Sequence, residues 1–146
     1  MRVRYLLMLA LAPGLVDCSL LGPSELAVEI RMDSTAYHHP GPGPSTNISF
    51  QVVNVGSVSA HFEGCPDPLP VAFERDASGK WEDDVSANIR CLAIFTPTHL
   101  ELRPGRAYHY AVNWDRPSRY RFRVYFGDSA TEPYRYSTVG APFELR

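Results

Sequence analysis

Lysine is almost missing from this chain: Lys80 is the one lysine among 14 basic residues. The bias toward arginine carries no chemistry of its own. Cysteine is scarce too. Cys18, Cys65 and Cys91 are the three, and none sits in a close Cys-x-x-Cys pair, which argues against a zinc site. No stretch reaches the roughly 20 apolar residues of a membrane-spanning helix. After the first 17 residues no amphipathic helical period appears, and no internal repeat. His-Glu-x-x-His and Gly-x-Ser-x-Gly do not occur, so the sequence signatures of a zinc protease and of a serine nucleophile elbow are missing. An excess of positive charge is missing as well. The formal net charge is −2, which argues against a dedicated nucleic-acid binder.

What is present begins with an address. Arg2 and Arg4 precede an apolar segment at 5–16, YLLMLALAPGLV. Positive charge followed by a short apolar run is the form of a secretory signal. Its end, Leu15-Val16-Asp17-Cys18, resembles a bacterial lipoprotein signal, which sets Leu three residues before the cysteine that receives lipid. Asp17 stands where that pattern prefers Gly or Ala. The competing cleavage, after Ala10-Leu11-Ala12, leaves Pro13 first, which signal peptidases reject. The resemblance implies residues 1–17 as signal peptide, 18–25 as tether, and Cys18 as a lipid anchor holding the chain at a bacterial cell envelope. The alternative is a free periplasmic or secreted protein.

An anchored Cys18 leaves an even pair. In an oxidising compartment Cys65 and Cys91 are expected to form a disulfide, worth about 3 to 4 kcal/mol in the chain-entropy view. Removing residues 1–17 leaves 12 basic and 15 acidic residues. The remaining length suits one domain at 26–146.

That domain reads as strands. Leu26, Val28, Ile30 and Met32 share one face. Residues 37–45 alternate Pro and Gly and are expected to be a loop. Ile48, Phe50 and Val52 alternate with Ser49, Gln51 and Val53, 54–57 are expected to turn, and Val58 to Phe62 to return. Residues 71–75 and 80–82 flank an Asp-Ala-Ser-Gly turn, which is hairpin chemistry. Residues 89–95 form a buried-looking run around Cys91, and 100–102 follow. Tyr108, Tyr110, Val112 and Trp114 fall on one face. Arg119, Arg121, Arg123 and Tyr125 alternate with Tyr120, Phe122, Val124 and Phe126, and 142–145 close the chain. The eight Tyr suit an all-β domain. The expected fold is a single all-β antiparallel sandwich of about seven to nine strands, of immunoglobulin-like type.

Leu102-Arg103-Pro104-Gly105-Arg106-Ala107-Tyr108 resembles the tyrosine corner of immunoglobulin-like and fibronectin type III domains. The resemblance implies that the Tyr108 hydroxyl bonds back to nearby backbone. "ISFQVVNVGS", "FERDASGKW" and "LELRPGRAYHYAVNW" occur in this order in small bacterial envelope domains. They also look like the bacillar intracellular proteinase inhibitor family, with its Asn-x-Gly after a strand, Gly-x-Trp hairpin and Leu-x-Pro-Gly turn. The coverage is about residues 46 to 126, and each motif is a turn or a core strand.

Candidate chemistry is thin. His38 and His39 are adjacent and would face opposite ways on a strand, while His61, His99 and His109 stand singly. No metal site is expected from them. Glu82-Asp83-Asp84 lacks the spacing of a calcium loop. No catalytic residue and no cofactor are expected. Arg119, Arg121 and Arg123 are the sharpest surface feature. They suit an anionic partner, or a solvent face paired with acids of the next strand, such as Glu101 or Glu144. The function expected is a non-catalytic binding or structural module. Its expected partners are the membrane, through Cys18, and an envelope protein or glycan, with no nucleic acid. The alternatives are a proteinase-inhibitor-like domain, presenting 37–45 or 64–70 as its loop, and a small carbohydrate-active or hydrolytic module.

Overall fold

The computed structural model describes residues 26–41, 45–64, 71–84 and 98–146. They form eleven strands. A three-stranded antiparallel sheet holds β1 (Val28–Met32), β3 (Thr46–Asn54) and β8 (Ala107–Trp114), in the order β1-β3-β8. A larger sheet runs β2 (Ala36–Tyr37), β11 (Phe143–Leu145), β9 (Ser118–Phe126), β5 (Val71–Ala77), β6 (Lys80–Asp83), with β10 (Tyr136–Val139) also on β9. A separate ribbon pairs β4 (Ala60–Gly64) with β7 (Thr98–Leu102). Counting β1, β3, β5, β6, β8, β9 and β11 as the main strands, one sheet sets the first, second and fifth together. The other sets the third, sixth and seventh side by side. This is the strand order of an immunoglobulin-like sandwich.

The core lies between the sheets because each strand alternates. Ile48, Phe50 and Val52 of β3 point inward with Val112 of β8, Phe73 of β5 meets Tyr120 and Phe122 of β9, and Val71 stands opposite Val124, all buried. Phe122 is the centre: its ring lies 4.2 Å from Phe50, 4.8 Å from Phe73 and 5.0 Å from Phe143. Aromatic rings at these separations add to the gain from burial.

The hairpin expected between β3 and β4 does not form. β3 pairs with β1 and β8, whereas β4 pairs with β7. Residues 55–59 instead carry the chain from one sheet toward the other. The side chain of buried Asn54 holds this crossover. Its Nδ2 donates to Val58 O (2.8 Å) and Leu102 O (2.7 Å), and its Oδ1 accepts from Gly56 N (2.9 Å). A polar side chain that replaces backbone pairing satisfies groups that a buried turn would otherwise orphan.

Two short strands, β2 and β10, lie outside the sequence expectation. β2 has only two residues and pairs parallel with β11. β10 has exposed Tyr136, Ser137 and Val139, so burial imprints no alternation on it. The hairpin at Ser78-Gly79 does form. Both residues have positive φ, 60° and 89°, as the tight two-residue turn between β5 and β6 requires. Gly127 is where β4 meets the end of β9, through reciprocal bonds with His61 of 3.0 and 2.8 Å. A Cβ on Gly127 would lie 1.8 Å from Glu132 O, so only glycine lets the 128–133 turn fold back here.

Candidate binding surface

Register decides what the arginines meet. β5 and β9 run antiparallel with Glu74 opposite Arg121, so the outward faces of both strands share one surface. The Glu74 carboxylate takes Arg121 through one oxygen, and through the other it takes Arg123, whose Nε lies at 2.7 Å. Glu74 is 5% exposed. Burial alone would raise its carboxyl, but the hydrogen bonds from Arg121 and Arg123 outweigh burial and hold it below the usual range. Arg123 also donates to Ser137 Oγ of β10 at 3.1 Å. Arg119 pairs with Asp76 at 3.0 Å.

Trp81 of β6 completes the strip. The Arg121 guanidinium lies 4.5 Å from its ring centroid and that of Arg119 lies at 5.5 Å. These are cation–π distances. Beyond them, Tyr125 and Val139 are exposed at 38% and 40%, and Tyr125 stands opposite Ser137 while Val139 stands opposite Arg123. The arginines do pair with acids of a neighbouring strand, but the acids are Glu74 and Asp76. Glu144 is the cross-strand neighbour of Arg119, yet its carboxylate binds Arg146. Glu101 lies on the ribbon, bound to Ser59 Oγ at 2.7 Å.

The tyrosine-corner residues sit at the entry to β8. Leu102 is buried, Gly105 has φ +71°, and Arg106 N bonds to Arg103 O at 3.1 Å. The Tyr108 hydroxyl donates to Glu101 O at 3.0 Å. Burial first, and the Glu101 charge second, raise its pKa. In immunoglobulin domains the corner tyrosine opens the strand of the opposite sheet. Here it opens β8, which lies beside β3.

Cys18, Cys65 and Cys91 lie outside the described residues, as do the signal and tether segments, the run at 89–95 and nearly all of the loop 64–70. Among the described residues, no three His, Cys, Asp or Glu side chains converge as metal ligands. No described helix is long and apolar enough to cross a membrane.

Glu74, Asp76 and Trp81 went unrecognised in the sequence as parts of the arginine surface. The signal for two of them was present: the Asp76 to Gly79 turn sets the β5–β6 register, which places Trp81 opposite Asp76. The pairing of His61 with His99 had no such signal. These residues lie 38 positions apart on strands that no short turn connects.

A comparison with protein-family models matches no family, and a comparison with curated proteins finds no match. Among solved structures, a β-glucosidase from Listeria innocua aligns at 14% identity and TM-score 0.35, covering 82% of this chain and 16% of that one. The ASH/PapD-like domain 7 of human CEP192 aligns at 20% identity and TM-score 0.37, covering 99% of this chain and 93% of that one. This chain therefore spans only 16% of the glucosidase chain's length. The sandwich itself is defined by its strand order and register.

Proposed function

We propose that the chain is a non-catalytic binding module, exported and tied to a bacterial membrane through lipid on Cys18, which holds a protein partner on the outer face of its larger sheet. One observation carries the binding surface: Trp81, Arg119, Arg121, Arg123 and Tyr125 share a face whose arginines are already held by Glu74 and Asp76. Trp, Tyr and Arg are the residues that dominate binding energy at protein interfaces. Side chains ordered before binding lose less entropy on association. With Asp83 opposite Glu74, three arginines meet three acids and the strip is close to neutral, which suits a protein partner better than a highly charged polymer.

Photo-crosslinking in the native type of host tests the surface. A photoreactive residue at Tyr125 or Val139 is expected to give one discrete protein adduct. The same residue at His109 or Asn113, exposed on β8 of the opposite sheet, is expected to give none. Equal adducts from both faces, or none from either, overturn the protein-binding surface. Adducts lost while a glycan is retained, and released by Trp81→Ala, would redirect it to a glycan.

The anchor has its own measurement, the intact mass of the mature chain. Residues 18–146 plus acyl chains is the expected species, gaining two hydrogens on reduction as the Cys65–Cys91 bridge opens. A lipid-free mass overturns the anchor.

A further inference from the structure

On the ribbon of β4 and β7, four side chains make a square. His61 stands directly opposite Glu101, and Glu63 directly opposite His99. Residues two apart on a strand share a face, so all four project from one side. The histidines occupy one diagonal and the glutamates the other. Diagonal neighbours of a ribbon are within reach of ring-bearing side chains. Here the imidazoles lean together, with ring centroids 5.0 Å apart and planes 23° from parallel. His61 Nδ1 lies 2.9 Å from His99 Nε2.

From this we infer a divalent transition-metal site, with His61 Nδ1 and His99 Nε2 as its protein ligands and Ni(II) or Cu(II) as the best-fitting ions. With each neutral imidazole carrying its single proton on the outward nitrogen, Nε2 of His61 and Nδ1 of His99, each facing nitrogen has a lone pair to give. A metal–nitrogen bond is about 2.0 to 2.1 Å, so two ligands at a right angle stand about 2.9 Å apart, which is the right-angled geometry that Cu(II) and Ni(II) adopt. The two nitrogens already stand at that separation through a hydrogen bond, which an ion would replace once both rings tilt toward it. A tetrahedral ion needs about 3.3 Å between ligands and would have to spread the rings.

The square also supplies the charge. Two neutral imidazoles leave an ion's double positive charge uncompensated, and Glu101 and Glu63 flank it. Glu101 stands directly across from His61 and accepts a hydrogen bond from Ser59 Oγ at 2.7 Å. Glu63 lies on the other side, directly across from His99 and hydrogen-bonded to the Tyr134 hydroxyl. His99 is exposed and His61 half-buried, so solvent reaches the pair and water fills the remaining coordination positions.

The site is tested by titrating the full chain with Ni(II) in a calorimeter at neutral pH, beside His61→Asn, His99→Asn and a His38→Asn/His39→Asn control. One ion per chain is expected. Either single change is expected to weaken binding by at least about tenfold, while the control binds as the parent does. Thermal melts without metal verify that the variants fold. Should one not fold, NMR of the parent decides: paramagnetic Ni(II) should broaden the His61 and His99 ring signals before those of His38, His39 and His109. Unchanged affinity in folded His61→Asn and His99→Asn, first broadening elsewhere, or no binding at millimolar Ni(II) overturns the assignment.

Discussion

Asn54→Ala is expected to lower the free energy of unfolding by about 3 to 5 kcal/mol, read as a shift of the urea midpoint with unchanged slope. Asn54 is fully buried, and its side chain serves Val58 O, Leu102 O and Gly56 N. Truncation leaves two carbonyls and one amide without that partner. Each buried group left unsatisfied costs about 1 to 3 kcal/mol. Water reaching the crossover would recover part of this, which is why the total stays below the sum. The backbone of Asn54 is tied in as well, donating to Arg106 O at 3.0 Å and accepting from Gly105 N at 2.9 Å. One residue thus joins the end of β3, the crossover and the turn before β8. Asn54→Asp separates hydrogen bonding from shape. It keeps the acceptor for Gly56 N but aims a carboxylate oxygen at two carbonyl oxygens, so it is expected to be more damaging than alanine. An Asp variant as stable as the parent would show that the two donor bonds contribute little.

Glu74→Gln is expected to cost about 2 to 4 kcal/mol at neutral pH, toward the low side of what removing one partner of a buried ion pair costs. Arg121 and Arg123 keep 21% and 26% of their side-chain surface exposed, so water cushions the loss. Glutamine retains the shape and one acceptor, but offers an amide to the second guanidinium and no charge to either. The pH dependence follows from the sign of the shift. The folded-state pKa of Glu74 lies below its ordinary value, so its stabilisation is complete above the unfolded pKa, about 4.3. That stabilisation disappears as pH falls through the lower folded value. The parent and Glu74→Gln should therefore differ most near pH 7 and converge at strongly acid pH, where the parent's carboxyl is neutral too. Unfolding curves at several pH values check this, and a constant difference would sink it. Arg119→Ala is a useful contrast. Its guanidinium is half exposed where it meets Asp76, and exposed pairs contribute about 0 to 1 kcal/mol.

The arginine face shows how local pattern and register divide the information. The alternation of Arg119, Arg121 and Arg123 with Tyr120, Phe122 and Val124 was legible because burial alternates with the pleat. Which acids the arginines meet was not legible, because Glu74 lies 47 residues before Arg121. A shift of one residue between β5 and β9 would turn Glu74 toward the other face. The same limit hid the His61–His99 pair. It also explains the 54–57 segment, where Asn and Gly signal a change of direction equally for a hairpin and for a crossover. The two differ only in where the following strand finds its partner.

By itself, then, the order of residues determined an all-β chain, the inward faces of its long strands, the tight Ser78-Gly79 hairpin and the turn at Pro104-Gly105. Each depends on residues within a few positions of one another, where steric preference and alternating burial act directly. Tertiary structure alone decided that β4 leaves β3 for β7, that Glu74 holds two arginines, and that His61 faces His99. These are outcomes of strand pairing, settled by how the shared core around Phe122 packs, and no local property of the residues encodes them.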